Sequence, residues 1–272
     1  MSTIDRDIEL DAFDASRPGH VCWVVGDGGS YASTATAMLR RGASSGGKPV
    51  AFGPASGRAL ELLAAEAAVT ADPARDFLGG GPLEPDAMFR MFRAQTELAR
   101  TEGHERLCLV ADMDWLLPLE PSAEDIVAFE LALDRVVAEL DATVVCAYRT
   151  ETFAPDDLVD VCAVHPEQLG GHEPGPFRFV ADGSGWRLSG EVDNAVADVF
   201  RTALRTAAAD DSCTIDVREL DFIDCAGLRQ IATVGRDRSR PIVLDGASAH
   251  LRRLWELTGF AATAPGVELR AD

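Results

Sequence analysis

The chain has 272 residues, a formal net charge of −20 and a hydrophobic fraction of 47%. This length allows one large domain or two ordinary ones, and the apolar fraction is enough to build packed cores. So acidic a surface repels phosphate backbones, which disfavours nucleic acid as a partner.

The composition also bears on the compartment. No apolar run is long enough to span a bilayer, and the acidic N-terminus lacks the apolar segment of a signal peptide. The six cysteines form no C-x-x-C pair and show no metal-ligand spacing. We therefore predict a cytoplasmic protein with reduced cysteines, no membrane partner, no metal and no cofactor.

The first half alternates apolar strands with helices. Strands are predicted at His20–Gly26, Pro49–Gly53, Ala68–Ala71, Leu107–Asp112 and Thr143–Tyr148. Helices are predicted from just after Ser30 to about Arg41, at Gly57–Ala67, at Glu84–Glu102, from a capping box at Ser122 and Asp125 to about Leu140, and at about Asp156–Val164. Uninterrupted apolar strands between helices predict an α/β fold, with a parallel sheet covered on both faces.

The apolar side of helix Glu84–Glu102 is assigned to Met88, Phe89, Met91, Phe92 and Leu98. The loop Asp27–Ser30 and the turn Gly79–Pro82 are rich in glycine. The first of these follows a strand and precedes a helix, as a P-loop does, but Tyr31 and Ala32 replace the required glycine and lysine. We interpret it as a P-loop shape without ATPase chemistry.

Several polar and aromatic residues are candidates for a ligand site. Asp112 and Trp115 follow the carboxyl end of a buried strand, where ligands bind in open α/β sheets, although a turn that caps the next element has the same pattern. Glu130 lies at the edge of an apolar helix stripe, where a carboxylate must be paired, hydrated or neutral. The full candidate set is His20, Asp112, Trp115, Glu130, Tyr148 and His165.

The second half follows a Gly/Pro linker, Gly170–Pro176. Its central stretch predicts a strand at Thr214–Val217, a tight loop, and a helix that opens near Asp224–Gly227. Asp224 is a good N-cap, because its carboxylate can accept hydrogen bonds from the amides of the first turn. Cys225 follows it, where those amides and the helix dipole converge. This position allows a redox switch, or Cys225 is simply a small residue at the helix start.

The first half resembles the MEDS family of sensory domains. The matching pieces, in order, are GHVCW (Gly19–Trp23), ADMDW (Ala111–Trp115), FE (Phe129–Glu130), VVCAY (Val144–Tyr148) and HP (His165-Pro166). The resemblance implies a RecA-like α/β fold and the sensing of a small molecule. We place this domain at residues 18–167.

The second half resembles the STAS family, the sulfate transporter and anti-sigma factor antagonist domains. The resemblance rests on Leu188–Asp193, the stretch around Asp224, and Leu244–Phe260. It implies a smaller α/β domain at 177–272, after a linker at 168–176. It also implies regulatory or docking roles for Asp193, Asp224, Cys225 and Gly227. The family's phosphorylated residue is usually a serine, and Cys225 stands in its place here.

Together these patterns predict a non-enzymatic regulatory protein that senses a small ligand and docks an anti-sigma factor or another STAS-domain protein. Ligand binding would supply the control, since a thiol is no routine phosphoacceptor. Two alternatives remain: a degenerate P-loop nucleotide-binding protein, and a ligand-free scaffold in a STAS assembly. The sequence leaves the oligomeric state open, a homodimer included.

Overall fold

The computed structural model of the protein describes residues 13–26, 31–55, 69–71, 83, 85–170, 172–183, 185–209, 212–236 and 238–271. The chain forms two compact units, each built around its own sheet. The fold is α/β, as predicted. In the described segments, no helix is long and apolar enough to cross a membrane.

The first sheet has six strands, which are β1 Gly19–Val25, β2 Gly47–Phe52, β3 Val69–Ala71, β4 Arg106–Asp112, β5 Thr143–Arg149 and β6 Glu167–Leu169. The helices between these strands are α1 Tyr31–Ser44, α2 Pro85–Thr101, a 3-10 helix Met113–Leu119, α3 Ala123–Leu140 and α4 Pro155–Ala163. The predicted elements at Gly57–Ala67, Asp27–Ser30 and Gly79–Pro82 lie outside the described residues.

All strand pairs of the first sheet are parallel, in the order β3-β2-β4-β5-β1-β6. The parallel sheet is therefore confirmed. Every residue of β2 is buried, as expected for a strand covered on both faces. After β2 the chain continues to β3 on one side, whereas after β4 it continues to β5 on the opposite side. The carboxyl ends of these two neighbours form a topological switch point, a usual place for a ligand site.

Local sequence signals account for the start and the end of α3. Ser122 accepts a hydrogen bond from the amide of Asp125, and the Asp125 side chain accepts one from the amide of Ser122. This reciprocal pair is the predicted capping box, and it satisfies amides that the first helical turn leaves unpaired. Asp141 ends the helix in the left-handed conformation, with φ 56°.

The prediction for α2 was wrong at one residue. Met88, Phe89 and Phe92 are buried as expected, but Leu98 is 43% exposed. Thr96 and Ala99 are the buried residues in the last turns of this helix. The apolar stripe therefore continues through small residues that a count of large hydrophobic side chains overlooks.

The second sheet is mixed. Its strands are β7 Phe177–Asp182, β8 Gly185–Val192, β9 Cys213–Asp216, β10 Leu220–Ile223, β11 Ile242–Asp245 and β12 Val267–Leu269. Its helices are a short 3-10 helix Asn194–Val196, α5 Ala197–Ala207, α6 Cys225–Gly235, α7 Ala249–Leu257 and α8 Phe260–Thr263. The path is β10-β8-β9-β11-β12, and β7 pairs antiparallel with β8.

Strand β10 corrects the prediction of a tight loop before Asp224. Leu220–Ile223 pairs in parallel with β8. Within it Asp221 and Phe222 are exposed and Ile223 is buried. The four residues L-D-F-I are too short a run to distinguish a strand from a loop in the sequence, so only the pairing with β8 identifies it.

Candidate functional site

Two acidic residues and one arginine form a network at the carboxyl edge of the first sheet. Asp112 ends β4, and Arg149 ends the neighbouring β5. The Arg149 guanidinium contacts Asp112 Oδ2 at 2.8 Å and Asp114 Oδ2 at 2.8 Å. The Asp112 side chain is fully buried, whereas that of Arg149 is 25% exposed. Arg149 thus bridges two carboxylates and still reaches solvent.

Backbone amides complete the surroundings of Asp112. The amide of Ala55, just beyond β2, donates to Asp112 Oδ2 at 2.8 Å. Asp112 also caps the 3-10 helix that follows it. Burial raises the pKa of the Asp112 carboxyl, and the Ala55 amide and Arg149 oppose that rise. The network therefore joins β2, β4 and β5 at the switch point.

Tyr31 adds an aromatic surface to the same edge. Its ring stacks on Trp23 with centroids 5.7 Å apart, and the Arg149 guanidinium lies 5.3 Å from its centroid. Burial, with a smaller contribution from Asp112, raises the pKa of the Tyr31 hydroxyl, so it remains protonated at neutral pH. Tyr31, which occupies the position of a P-loop glycine, is therefore packed between Trp23 and Arg149.

The two predicted aromatic candidates are enclosed in this structure. Trp115 is 1% exposed and meets the Phe52 ring edge-on at 6.2 Å. Tyr148 is fully buried and meets Phe153 edge-on at 4.9 Å. Both side chains pack near the strand ends, and neither is accessible to solvent.

Three other predicted candidates come together in a second place. His20, Glu130 and His165 join Cys146, and each of the four offers one ligand atom within 4.8 Å of the others. All four side chains are at most 1% exposed. We call this set the buried cluster. Its members lie on β1, α3 and β5 and just after α4.

The buried cluster and the Arg149 network are separate. His20 pairs with Val144 on β5, whereas Asp112 pairs with Ala147. Successive side chains of a strand point to opposite faces of the sheet, so His20 and Cys146 lie on one face and Asp112 and Arg149 on the other. Cys146 was missed by the sequence analysis because it lies in an apolar run, where a cysteine is usually a core residue. Its register partner Cys22 is two residues from His20, so strand pairing was the signal needed.

Asp193 and Asp224 directly follow the carboxyl ends of two neighbouring strands of the second sheet. They follow Val192 and Ile223, which are register partners in β8 and β10. Asp224 accepts hydrogen bonds from the amides of Ala226 at 2.7 Å and Gly227 at 2.9 Å, which confirms the predicted N-cap of α6. Asp193 caps its own 3-10 helix through the amide of Ala195 at 2.8 Å.

Cys225 and Gly227 have different surroundings on α6. Cys225 is exposed, and the other five cysteines are buried. Gly227 is buried, and a Cβ atom there would lie 2.7 Å from Ile223 Cγ1 and 2.8 Å from Val192 Cγ1. Gly227 therefore allows the helix start to approach the sheet closely, which holds Cys225 at the surface beside Asp224.

Two family models match the chain, one in each half. Residues 19–166 match the family model described as MEDS, the methanogen/methylotroph, DcmR sensory domain. Residues 178–268 match the family model described as Mlab, STAS domain. No curated protein matches the chain. The Arg149 network and the buried cluster both fall inside the first match, and Asp193 to Gly227 fall inside the second.

Proposed function

The chain belongs to the MEDS family and carries a STAS domain behind the sensory domain, an architecture of signalling proteins, and from this premise we propose a ligand-controlled docking protein. A small molecule binds at the carboxyl edge of the first sheet. The STAS domain then docks an anti-sigma factor or another STAS-domain protein. The observation that carries the proposal is this pairing of a sensory domain with an exposed STAS helix start that has no hydroxyl.

The Arg149 network supports the ligand-binding half of the proposal. Arg149 is held by Asp112 and Asp114, so its guanidinium is oriented before any ligand arrives. Its side chain is partly exposed and can donate a hydrogen bond to an acceptor on the ligand, and the face of the Tyr31 ring lies next to it. We therefore expect a small polar molecule that carries a hydrogen-bond acceptor, with the carboxylates available to its donors.

The start of α6 supports the docking half. Cys225 is exposed, and Phe222, three residues earlier on β10, is 50% exposed. An exposed aromatic beside a rigid, capped helix start is the kind of anchor that protein partners use. Because sulfur replaces oxygen at Cys225, phosphorylation does not control this surface, and the upstream domain supplies the input.

We also propose that the protein has no ATPase activity. The loop sequence lacks the P-loop lysine that would neutralise the terminal phosphates, and the Tyr31 ring occupies packed space against Trp23. Purified protein should neither bind nor hydrolyse ATP in calorimetric and phosphate-release assays. Turnover that is lost in an Arg149→Met variant would instead support the nucleotide-binding alternative.

The ligand half is tested by native mass spectrometry of the full chain as purified. We expect a retained small molecule, and we expect Arg149→Met to lose it, because the oriented guanidinium is gone. Arg238→Met is the control, since it removes an arginine from the second unit. Equal retention in both variants would contradict the assignment of the site to the Arg149 network.

The docking half is tested by co-purification with anti-sigma factors and STAS-domain proteins encoded in the same genome. Phe222→Ser should weaken capture, whereas Leu257→Ser should not, because Leu257 is a 64% exposed apolar residue at the end of α7 and not on β10 or α6. The reverse pattern would move the docking surface to α7. With a captured anti-sigma kinase, Cys225→Ser should gain phosphate while the native chain does not.

A further inference from the structure

We propose that the buried cluster binds one tetrahedral divalent metal ion, for which zinc fits the donor set. His20, Glu130, Cys146 and His165 supply two imidazole nitrogens, a carboxylate and a sulfur. Nitrogen, sulfur and one oxygen favour zinc over the oxygen-preferring magnesium and calcium ions. All four residues lie within 19–166, the range of the sensory domain.

Two of the donor-atom distances match the edge of a tetrahedron, and all four donor atoms lie within 4.8 Å of one another. Cys146 Sγ lies 3.5 Å from His20 Nε2, and His165 Nε2 lies 3.5 Å from Glu130 Oε2. Zinc–nitrogen, zinc–oxygen and zinc–sulfur bonds of the usual length place neighbouring donors about 3.4–3.6 Å apart. Both pairs therefore already have the length of a tetrahedral edge.

Both histidines are oriented as metal ligands are. His165 Nδ1 lies 2.7 Å from the carbonyl oxygen of Val161, which can only accept, so Nδ1 carries the proton. His20 Nδ1 lies 3.3 Å from Asp134 Oδ1. The outer nitrogen of His165 thus has an acceptor, that of His20 has a carboxylate oxygen nearby, and the Nε2 atom of each ring is directed into the cluster. Metal-bound histidines almost always have such a partner on the second nitrogen.

Charge balance gives a separate reason for a cation. His165 Nδ1 donates to the Val161 carbonyl, and its Nε2 lies 3.5 Å from the carboxylate oxygen of Glu130, so a cation between them, either a proton or a metal ion, offsets the buried negative charge. A divalent ion does this and also compensates the thiolate of Cys146. One zinc ion with one thiolate and one carboxylate is neutral, which lowers the cost of complete burial.

The scaffold holds the donors in fixed positions. His20 and Cys146 are on paired strands, β1 and β5. Glu130 and Asp134 are one turn apart on α3, so the contact of Asp134 with His20 also fixes where Glu130 lies. With four protein ligands and no exposure, the site is closed. It is a structural or sensory metal site, because zinc catalysis needs an open position.

The test uses the full chain, expressed in zinc-supplemented medium and analysed by elemental mass spectrometry. We expect one zinc ion per chain as purified. Metal-free protein, prepared with a chelator in mild denaturant and refolded with cobalt, should show the thiolate-to-cobalt absorption band and tetrahedral cobalt bands. Absence of metal in both preparations would overturn the proposal without recourse to any variant.

Variants assign the ligands. Cys146→Ser should lose the thiolate-to-cobalt band, whereas Cys108→Ser, which changes another buried cysteine on the adjacent strand β4, should keep it. Asp134→Asn should still bind one ion but with affinity about 10–100-fold lower, as expected for a residue that positions a ligand. A band that survives Cys146→Ser and disappears in Cys108→Ser would place the metal elsewhere.

Discussion

Removal of the Arg149 guanidinium should destabilise the first unit by about 3 kcal/mol at neutral pH. Arg149→Met leaves the fully buried Asp112 carboxylate beside Asp114, with the Ala55 amide but no cation. Loss of one partner from a buried ion pair costs about 3–5 kcal/mol. The lower end applies because Arg149 is 25% exposed and Asp114 is 12% exposed.

The pH dependence of this loss has a definite sign. Burial raises the pKa of Asp112 in the folded chain, so the folded state keeps a proton that the unfolded chain has already released. Ionisation of Asp112 therefore favours unfolding as the pH rises from the unfolded pKa through the folded one. Arg149 opposes the rise, so the variant should raise the folded pKa further. Its destabilisation should shrink on acidification and grow toward neutral pH.

The assay is urea unfolding at several pH values, combined with hydrogen exchange of the β4 and β5 amides to localise the effect. Asp112→Asn added to Arg149→Met should recover part of the lost stability and remove the pH dependence. Arg149→Lys, which keeps the charge but cannot bridge both carboxylates, should cost less than Arg149→Met. A loss below about 0.5 kcal/mol, the scale of ordinary surface changes, would refute the reasoning.

Three further predictions concern single positions. Gly227→Ala should destabilise the second unit by up to about 2 kcal/mol in urea unfolding, because overpacking costs about 1–3 kcal/mol and the helix gains only about 1 kcal/mol; a more stable variant would contradict the close contacts of its Cβ with Ile223 and Val192. A neutral thiol reagent should modify Cys225 alone in the native chain, because the other cysteines are buried, and burial raises the pKa of the Cys108 thiol to about 12; a second modified thiol in the peptide map would show that a core opens. Ser122→Ala should cost about 1 kcal/mol through loss of the capping box, with faster exchange confined to the first turn of α3; unchanged exchange there would argue against the cap.

Features that depend on neighbouring residues were predictable from the chain. The capping box at Ser122, the N-cap at Asp224 and the buried faces of α6 follow from spacing within one or two turns. The buried strands of the first sheet follow from apolar runs between helices, and alternation with helices gives the parallel arrangement. Four residues of the two sites, His20, Asp112, Glu130 and His165, were named because polar side chains in apolar elements are conspicuous, whereas Arg149 and Cys146 were not named.

Features that depend on pairing were not predictable in this way. Strand β10 has one buried residue, Ile223, and it exists because β8 offers backbone partners. Leu98 faces solvent because the stripe of α2 continues through Thr96 and Ala99. For β10 the deciding contact comes from elsewhere in the chain. The helical spacing of Phe92, Thr96 and Ala99 was present in the sequence, but it was overlooked because two of these residues are small.

The sequence by itself determined the two-part organisation, the α/β class and the cysteine at the STAS helix start, because each follows from local composition or a short motif. Only the tertiary structure separated the candidate residues into two places. It set Asp112 against Arg149 at one edge, and it gathered His20, Glu130, Cys146 and His165 in the interior. These residues are far apart along the chain, so their distances arise from strand register and helix placement, which spacing in the sequence does not encode.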